Sequence, residues 1–204
     1  MANGDLMSDV MKNIYARRSV RAYAEDNVSE EQVREIIKAG FHAPNGAGSN
    51  ALRFAVITNK AKLKHYSDIS KVMSIEHFRQ VMSKAPPEVA KGIEALIKNL
   101  TNPDFNIFYN APVLVLVFAA PNALTPVEDG SLAAENMMLA ATSMGLGSCW
   151  IGFASPLGMA PEVMKELNMP ADHKLIAPLI FGVPKKKDMA ESQRPDVTIT
   201  AWLK

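Results

Sequence analysis

The segment that most constrains this chain is residues 131–144, which has almost no polar side: Leu132, Ala133, Ala134, Met137, Met138, Leu139, Ala140 and Ala141. A helix apolar all round must be buried on every side. In a chain of 204 residues there is room for one sizeable core, so such a helix is most easily buried between a sheet and a second subunit. The sheet itself is announced by residues 113–118, Val-Leu-Val-Leu-Val-Phe, a run expected of a central strand covered on both faces.

Around these two elements the pattern is mixed. Met7, Val10, Met11 and Ile14 recur at helical spacing, which predicts a first helix ending near Arg17-Arg18. Ser29 and Gln32 form a capping box ahead of Val33, Ile36, Ile37, Gly40 and Phe41. That helix stops at Pro44 and the turn Asn45-Gly46-Ala47-Gly48, and residues 54–58 read as a strand. Residues 60–104 predict helical segments outside the sheet, broken at Pro86-Pro87 and Asn102-Pro103. Gly145 ends the apolar helix, residues 150–153 form a turn or short strand, and a helix covers 161–167. A strand lies within 174–183, with Pro178 suited to an edge or a bulge. Residues 197–200, Val-Thr-Ile-Thr, return to strand chemistry and could reach a partner's sheet. Helices and strands that do not alternate cleanly indicate an α+β layer fold, here a single domain over 1–204 with a helical excursion at 60–104 and a C-terminal arm at 184–204.

Composition narrows the function. With 22 Lys and Arg against 21 Asp and Glu, the net charge is +1. This gives no whole-protein field for nucleic acid or an anionic membrane. A lone Cys149 excludes an intrachain disulfide and a cysteine-ligated cluster. The four histidines are scattered, so no metal is expected. The first eleven residues carry Asp5 and Asp9 and lack a signal peptide's apolar core, and the longest apolar run is too short for a bilayer. The cytoplasm is the expected compartment.

Three motifs carry candidate chemistry. Residues 46–51, Gly-Ala-Gly-Ser-Asn-Ala, fit the letters of a dinucleotide fingerprint but follow a helix and precede a strand, the reverse of the order that the fingerprint needs. What remains is a donor-rich loop or a plain turn. Arg17, Arg18, Ser19 and Arg21 gather three guanidinium groups and a hydroxyl, a phosphate-binding set or a solvated helix end. Cys149 reads as a small buried hydrophobe.

Taken in order, four segments resemble the FMN-dependent nitroreductase family. They are Arg17-Arg18-Ser19-Val20-Arg21; residues 43–54 beginning Ala43-Pro44-Asn45-Gly46; Ala111-Pro112-Val113; and Ala134-Glu135-Asn136 through Gly145-Leu146-Gly147-Ser148-Cys149-Trp150-Ile151-Gly152. Departures cluster in the second, where Gly48 stands for the family's Asn, Asn50 for Gln, and Ala51-Leu52 for Pro-Trp. The resemblance implies a three-layer α-β-α fold with a mostly antiparallel central sheet, homodimeric with C-terminal arm exchange. It implies non-covalent FMN, rather than FAD, with NADH or NADPH as donor and a nitroaromatic, quinone or related small molecule as acceptor in ping-pong transfer. It places Arg17, Arg18 and Ser19 near the phosphate and ribityl chain, and Arg21 at the pyrimidine edge. Trp150, Ile151 and Gly152 meet the ring, with the Gly152 N–H or a neighbour facing N5. Pro44, Asn45, Gly46 and Asn50 cross to the partner's flavin. Arg194, or one of Lys185, Lys186 and Lys187, completes the phosphate site. No side chain is assigned an acid–base role, because the cofactor carries the redox chemistry. A narrower reductase or dehydrogenase task, or a non-catalytic FMN-binding module, are the alternatives.

Overall fold

The computed structural model describes residues 8–186, 190 and 193–204. Met7 and Lys187 lie outside the described residues. Helix α1, Asp9–Ala16, starts where the Ser8 side chain accepts from the Met11 N–H at 3.3 Å. Helix α2, Glu30–Phe41, opens on the reciprocal Ser29–Gln32 capping box and buries Val33, Ile36 and Gly40. Strand β1 is Leu52–Ile57; helices α3, Lys60–Met82, and α4, Pro87–Thr101, follow, then β2, Val113–Ala119. Helix α5, Pro126–Ser143, leads into β3, Gly147–Trp150, a 3-10 segment, Gly152–Met159, helix α6, Pro161–Glu166, and β4, Lys174–Gly182.

The four strands form one antiparallel sheet in the order β1-β2-β4-β3. Every residue of β2 is buried, because alternate side chains enter two different cores. Leu114, Leu116 and Phe118 join Leu63, Tyr66, Leu100, Ile107, Leu157 and Val163 on one face. Val113, Val115, Val117 and Ala119 join Val33, Ile36, Ala133, Met137 and Ala141 on the other. The result is three layers, with α2 and α5 on one side and α3, the 3-10 segment and α6 on the other. The stretch 60–104 is therefore part of a layer and supplies a sheet face with its cover; Lys71, itself buried, fastens it by donating to the Asn102 and Phe105 carbonyls at 2.7 and 2.9 Å.

Two expectations change. Helix α5 begins five residues earlier than its apolar run, at Pro126, where proline suits a first helical position but leaves no hydrophobic signal. Within the single chain Leu132 on this helix is 46% exposed. Pro178 lies in the interior strand β4, paired with Leu116, not at the sheet's edge. Its carbonyl accepts from the Ile151 N–H at 2.9 Å, so its missing N–H also faces the β3 side, where β3 has already ended at Trp150. The bulge falls instead at Ile176, skipped between the Val117–Ala177 and Phe118–Leu175 pairs. Residues 193–204 are exposed and form no strand in this chain.

Candidate functional site

The basic stretch after α1 runs as an extended segment along the β3 side of the sheet. Ser19 bridges Ser148 in parallel, Tyr23 bridges Pro184, and the Val20 N–H donates to the Ser148 carbonyl at 2.9 Å. Close packing holds this path: a Cβ on Gly147 would lie 2.6 Å from Val20 Cγ2, and one on Gly182 would lie 2.7 Å from Tyr23. Val20 is buried and points inward, so Arg17, Ser19 and Arg21, at alternate positions, share the other side. All three influence Cys149. Burial pushes its thiol up, while Arg21, a hydrogen bond from Ser19, and Arg17 pull in the opposite sense. Burial prevails, and the thiol stays protonated at neutral pH.

Arg21 opens into a cleft of about 320 Å³ that it shares with Trp150, Ile151, Gly152, Phe153, Phe78, Ile107 and Tyr109. A Cβ on Gly152 would meet open space, so a flat ligand can approach the backbone there. The 3-10 segment makes its first turn between the Ala154 N–H and the Ile151 carbonyl, which leaves the Gly152 and Phe153 N–H groups ahead of that first bond. Arg17 is half-buried, 3.6 Å from Glu135. Arg18 is committed elsewhere: its guanidinium donates to the carbonyls of Tyr15, Arg17 and Ala190 at 2.5, 2.9 and 2.9 Å. It anchors the chain more than it offers donors. The Lys185 N–H donates to the Ala22 carbonyl at 3.0 Å, setting Lys185 beside the arginine segment. Arg194 is exposed in the irregular tail, and Lys186 is exposed.

The loop with Pro44, Asn45, Gly46 and Asn50 is elsewhere. The Gly46 N–H donates to Asp129 Oδ1 at 2.9 Å, and the Thr125 hydroxyl donates to the same oxygen at 2.8 Å. The loop leads into β1, at the opposite edge from β3, about 14 Å away across three strand spacings. One chain does not bring the two clusters together.

Phe78 from α3, with Ile107 and Tyr109 from the approach to β2, were not among the residues singled out in the sequence. Tyr109 and Asn110 are consecutive residues with φ of 52° and 56°, a left-handed pair that non-glycine residues adopt at a cost. The tyrosine gives no sign of it in the letters, and the asparagine only the weak one of its tolerance for this conformation. Among the described residues, no group of three or more His, Cys, Asp or Glu could hold a metal ion, and no helix is long and apolar enough to cross a membrane.

The fold and the cleft define the class: a three-layer α-β-α protein with a basic segment and an open glycine backbone at one sheet edge. Residues 14–183 match the family model described as the Nitroreductase family, and the chain belongs to that family. It is 26% identical over 201 residues to the nitroreductase NfnB of Mycolicibacterium smegmatis, covering 87% of this chain and 84% of that protein. It is 28% identical over 181 residues to iodotyrosine deiodinase 1 of Sus scrofa, covering 84% of this chain and 60% of that one. A crystal structure of a nitroreductase with bound FMN from Bacteroides fragilis superposes with a TM-score of 0.75 at 28% identity, covering 95% of this chain and all of that one.

Proposed function

We propose that this protein is an FMN-dependent oxidoreductase, in which NADH or NADPH supplies electrons that pass to a nitroaromatic, quinone or related acceptor. The observation that carries the reading is the meeting of Arg21 with the open Gly152 backbone in one cleft, in a chain of the nitroreductase family whose relative binds FMN. When bound, FMN supplies reversible two-electron chemistry. The donor set fits it. Arg17, Ser19 and Lys185 supply cationic and hydroxyl donors for one terminal phosphate, Arg21 supplies positive charge at the ring's polar edge, and Trp150, Ile151 and Gly152 face the ring. The Glu135 carboxylate beside Arg17 means that a phosphate shares or displaces an existing ion pair. Arg18 and Arg194 are the weakest members of the set expected from the sequence.

The protein works as a homodimer in this reading. Val10, Ile14 and Tyr15 on α1 and Val127 and Leu132 on α5 are exposed apolar residues, and the Asn45–Asn50 loop meets the cleft only if a second subunit presents it. The tail residues Val197, Ile199, Trp202 and Leu203, all exposed, fit an arm that wraps a partner. The single buried, unpaired Cys149 is compatible with a reducing cytoplasm. The similarity to an iodotyrosine deiodinase favours, as a second reading, a narrower reductive task on one metabolite.

The test is anaerobic addition of NADH and NADPH to flavin-loaded protein, followed by acid release of the cofactor. Rapid bleaching and released FMN are expected. Flavin that stays oxidised with both donors points to a non-catalytic module, and released FAD refutes the phosphate assignment.

A further inference from the structure

A second cavity adjoins the Arg21 cleft. It encloses about 610 Å³ between the C-terminal half of α3, the 3-10 segment and the start of β4, within the size range of small-molecule sites. The two spaces share Phe78, Gly152 and Phe153. Phe78 and Phe153 meet edge to face at 6.1 Å and 89°, so an aromatic pair stands on the boundary between them. The walls include Met73, Met159 and Leu175; polar groups come from Ser74, His77, His173 and Lys174, with Asp172 paired to His173 Nδ1 at 2.9 Å. The lining's cationic group is the Lys174 ammonium, and its carboxylate, Asp172, is turned to His173.

We infer that this chamber binds the aromatic part of an electron acceptor carrying an anionic substituent, an aromatic carboxylate in the simplest case. The inference rests on the flavin reading above and assigns its acceptor class. Thioether and phenyl walls receive a flat ring. Lys174 meets the carboxylate, and Phe78 and Phe153 direct the reducible end toward the open Gly152 backbone. The chamber exists because α3 is long enough, 23 residues, to carry Met73, Ser74, His77 and Phe78 past the sheet and over the 3-10 segment. The stretch 60–104 thereby sets acceptor specificity.

The experiment is an equilibrium titration of FMN-loaded protein with 4-nitrobenzoate and, separately, with neutral nitrobenzene, read from the flavin absorbance and repeated by Trp fluorescence. Met73→Trp fills the chamber and is expected to raise both dissociation constants at least tenfold. Lys174→Glu, at an exposed position, is expected to raise the 4-nitrobenzoate constant at least tenfold and to change the nitrobenzene constant less than twofold. If Met73→Trp does not fold, Lys174→Glu decides alone. Unchanged constants for 4-nitrobenzoate in the folded, FMN-loaded variants overturn the inference, as does an equal effect of Lys174→Glu on both ligands. Failure of the parent to take up FMN would count against the flavin reading instead, so the two are separable.

Discussion

The contact between Gly147 and Val20 couples the sheet to the arginine segment, and its cost can be worked out. In Gly147→Ala the new Cβ would sit 2.6, 2.8 and 2.9 Å from Val20 Cγ2, Cβ and Cγ1. Carbon atoms rest at about 3.5 Å, so Val20 must retreat by about 0.9 Å. Val20 is 3% exposed and β-branched, so it has few rotamers with which to yield. Overpacking of this kind costs about 1–3 kcal/mol, offset by about 0.5–1 kcal/mol from removing a strand glycine. The expected net loss spans about 0–2.5 kcal/mol and centres at about 1 kcal/mol, read as a lower urea midpoint with an unchanged slope. Ser19 and Arg21 flank Val20 in the chain, so FMN affinity should fall with it. A broken charge-assisted contact is worth about 1.5–3 kcal/mol, roughly ten- to a hundredfold. Val20→Ala alone removes two buried methyl groups, about 2 kcal/mol with its cavity. Combining the two changes puts the new methyl into the space that Val20 vacates. The double variant should be more stable than the sum of the single ones by about 1 kcal/mol or more and should regain FMN affinity. Strict additivity in both readouts, or a Gly147→Ala protein with parental midpoint and affinity, would refute the argument.

Three further outcomes follow from the site. Arg17→Ala should weaken FMN affinity roughly ten- to a hundredfold while leaving the bound flavin's midpoint potential near that of the parent; Arg21→Ala should lower the potential at saturating FMN, because it removes positive charge from the side where negative charge develops. Paired reductive titrations check both. Leu132→Glu, on the exposed face of α5, should convert a dimer to monomer in sedimentation, since obligate interfaces are large and apolar. Glu166 accepts from Lys62 and from the Tyr66 hydroxyl, the latter at 2.8 Å, and these donors hold its carboxyl below the ordinary range. A depressed folded value means stabilisation that is present above the ordinary carboxylate range and lost as pH falls through the folded value. Glu166→Gln should therefore flatten the acid limb of the midpoint-against-pH curve measured in urea.

The parts of this fold that were legible were those in which one local rule decides. The capping box at Ser29 and the uninterrupted apolar run in β2 each state their structure within ten residues. Elements defined by tertiary contact were not. Helix α5 starts at Pro126 because Thr125 and Asp129 organise the turn, a fact with no apolar period to announce it. Pro178 is tolerated inside the sheet only because β3 ends one residue short of needing its N–H. At the site, Arg21 and Gly152 were legible through the family's motifs, whereas Phe78 and Tyr109 come from the least patterned part of the chain. Their place in the cleft depends on how α3 lies over the 3-10 segment, which no spacing encodes.

The departures from the family pattern in the Asn45–Asn50 loop have a geometric account. Ala47, Gly48 and Asn50 have φ of 52°, 65° and 48°, three left-handed residues within four positions. Glycine carries such a φ without penalty and asparagine with little, so Gly48 and Asn50 suit this path better than most residues would. The Asn50 N–H donates to Asn45 Oδ1 at 3.1 Å, and its side-chain amide donates to the Gly48 carbonyl at 3.2 Å. The asparagine that replaces the family's glutamine is thus engaged in shaping its own loop. It has fewer groups left for a ligand than a longer side chain would. A loop that holds itself together in the single chain needs no flavin to order it. In a dimer it would offer the partner's cleft a preformed wall of backbone groups in place of a reaching side chain. Recognition there would then rest on the shape of residues 45–50, so Asn50→Ala should disturb FMN binding through the loop's φ angles, and Asn50→Gly, which restores the left-handed freedom, should disturb it less.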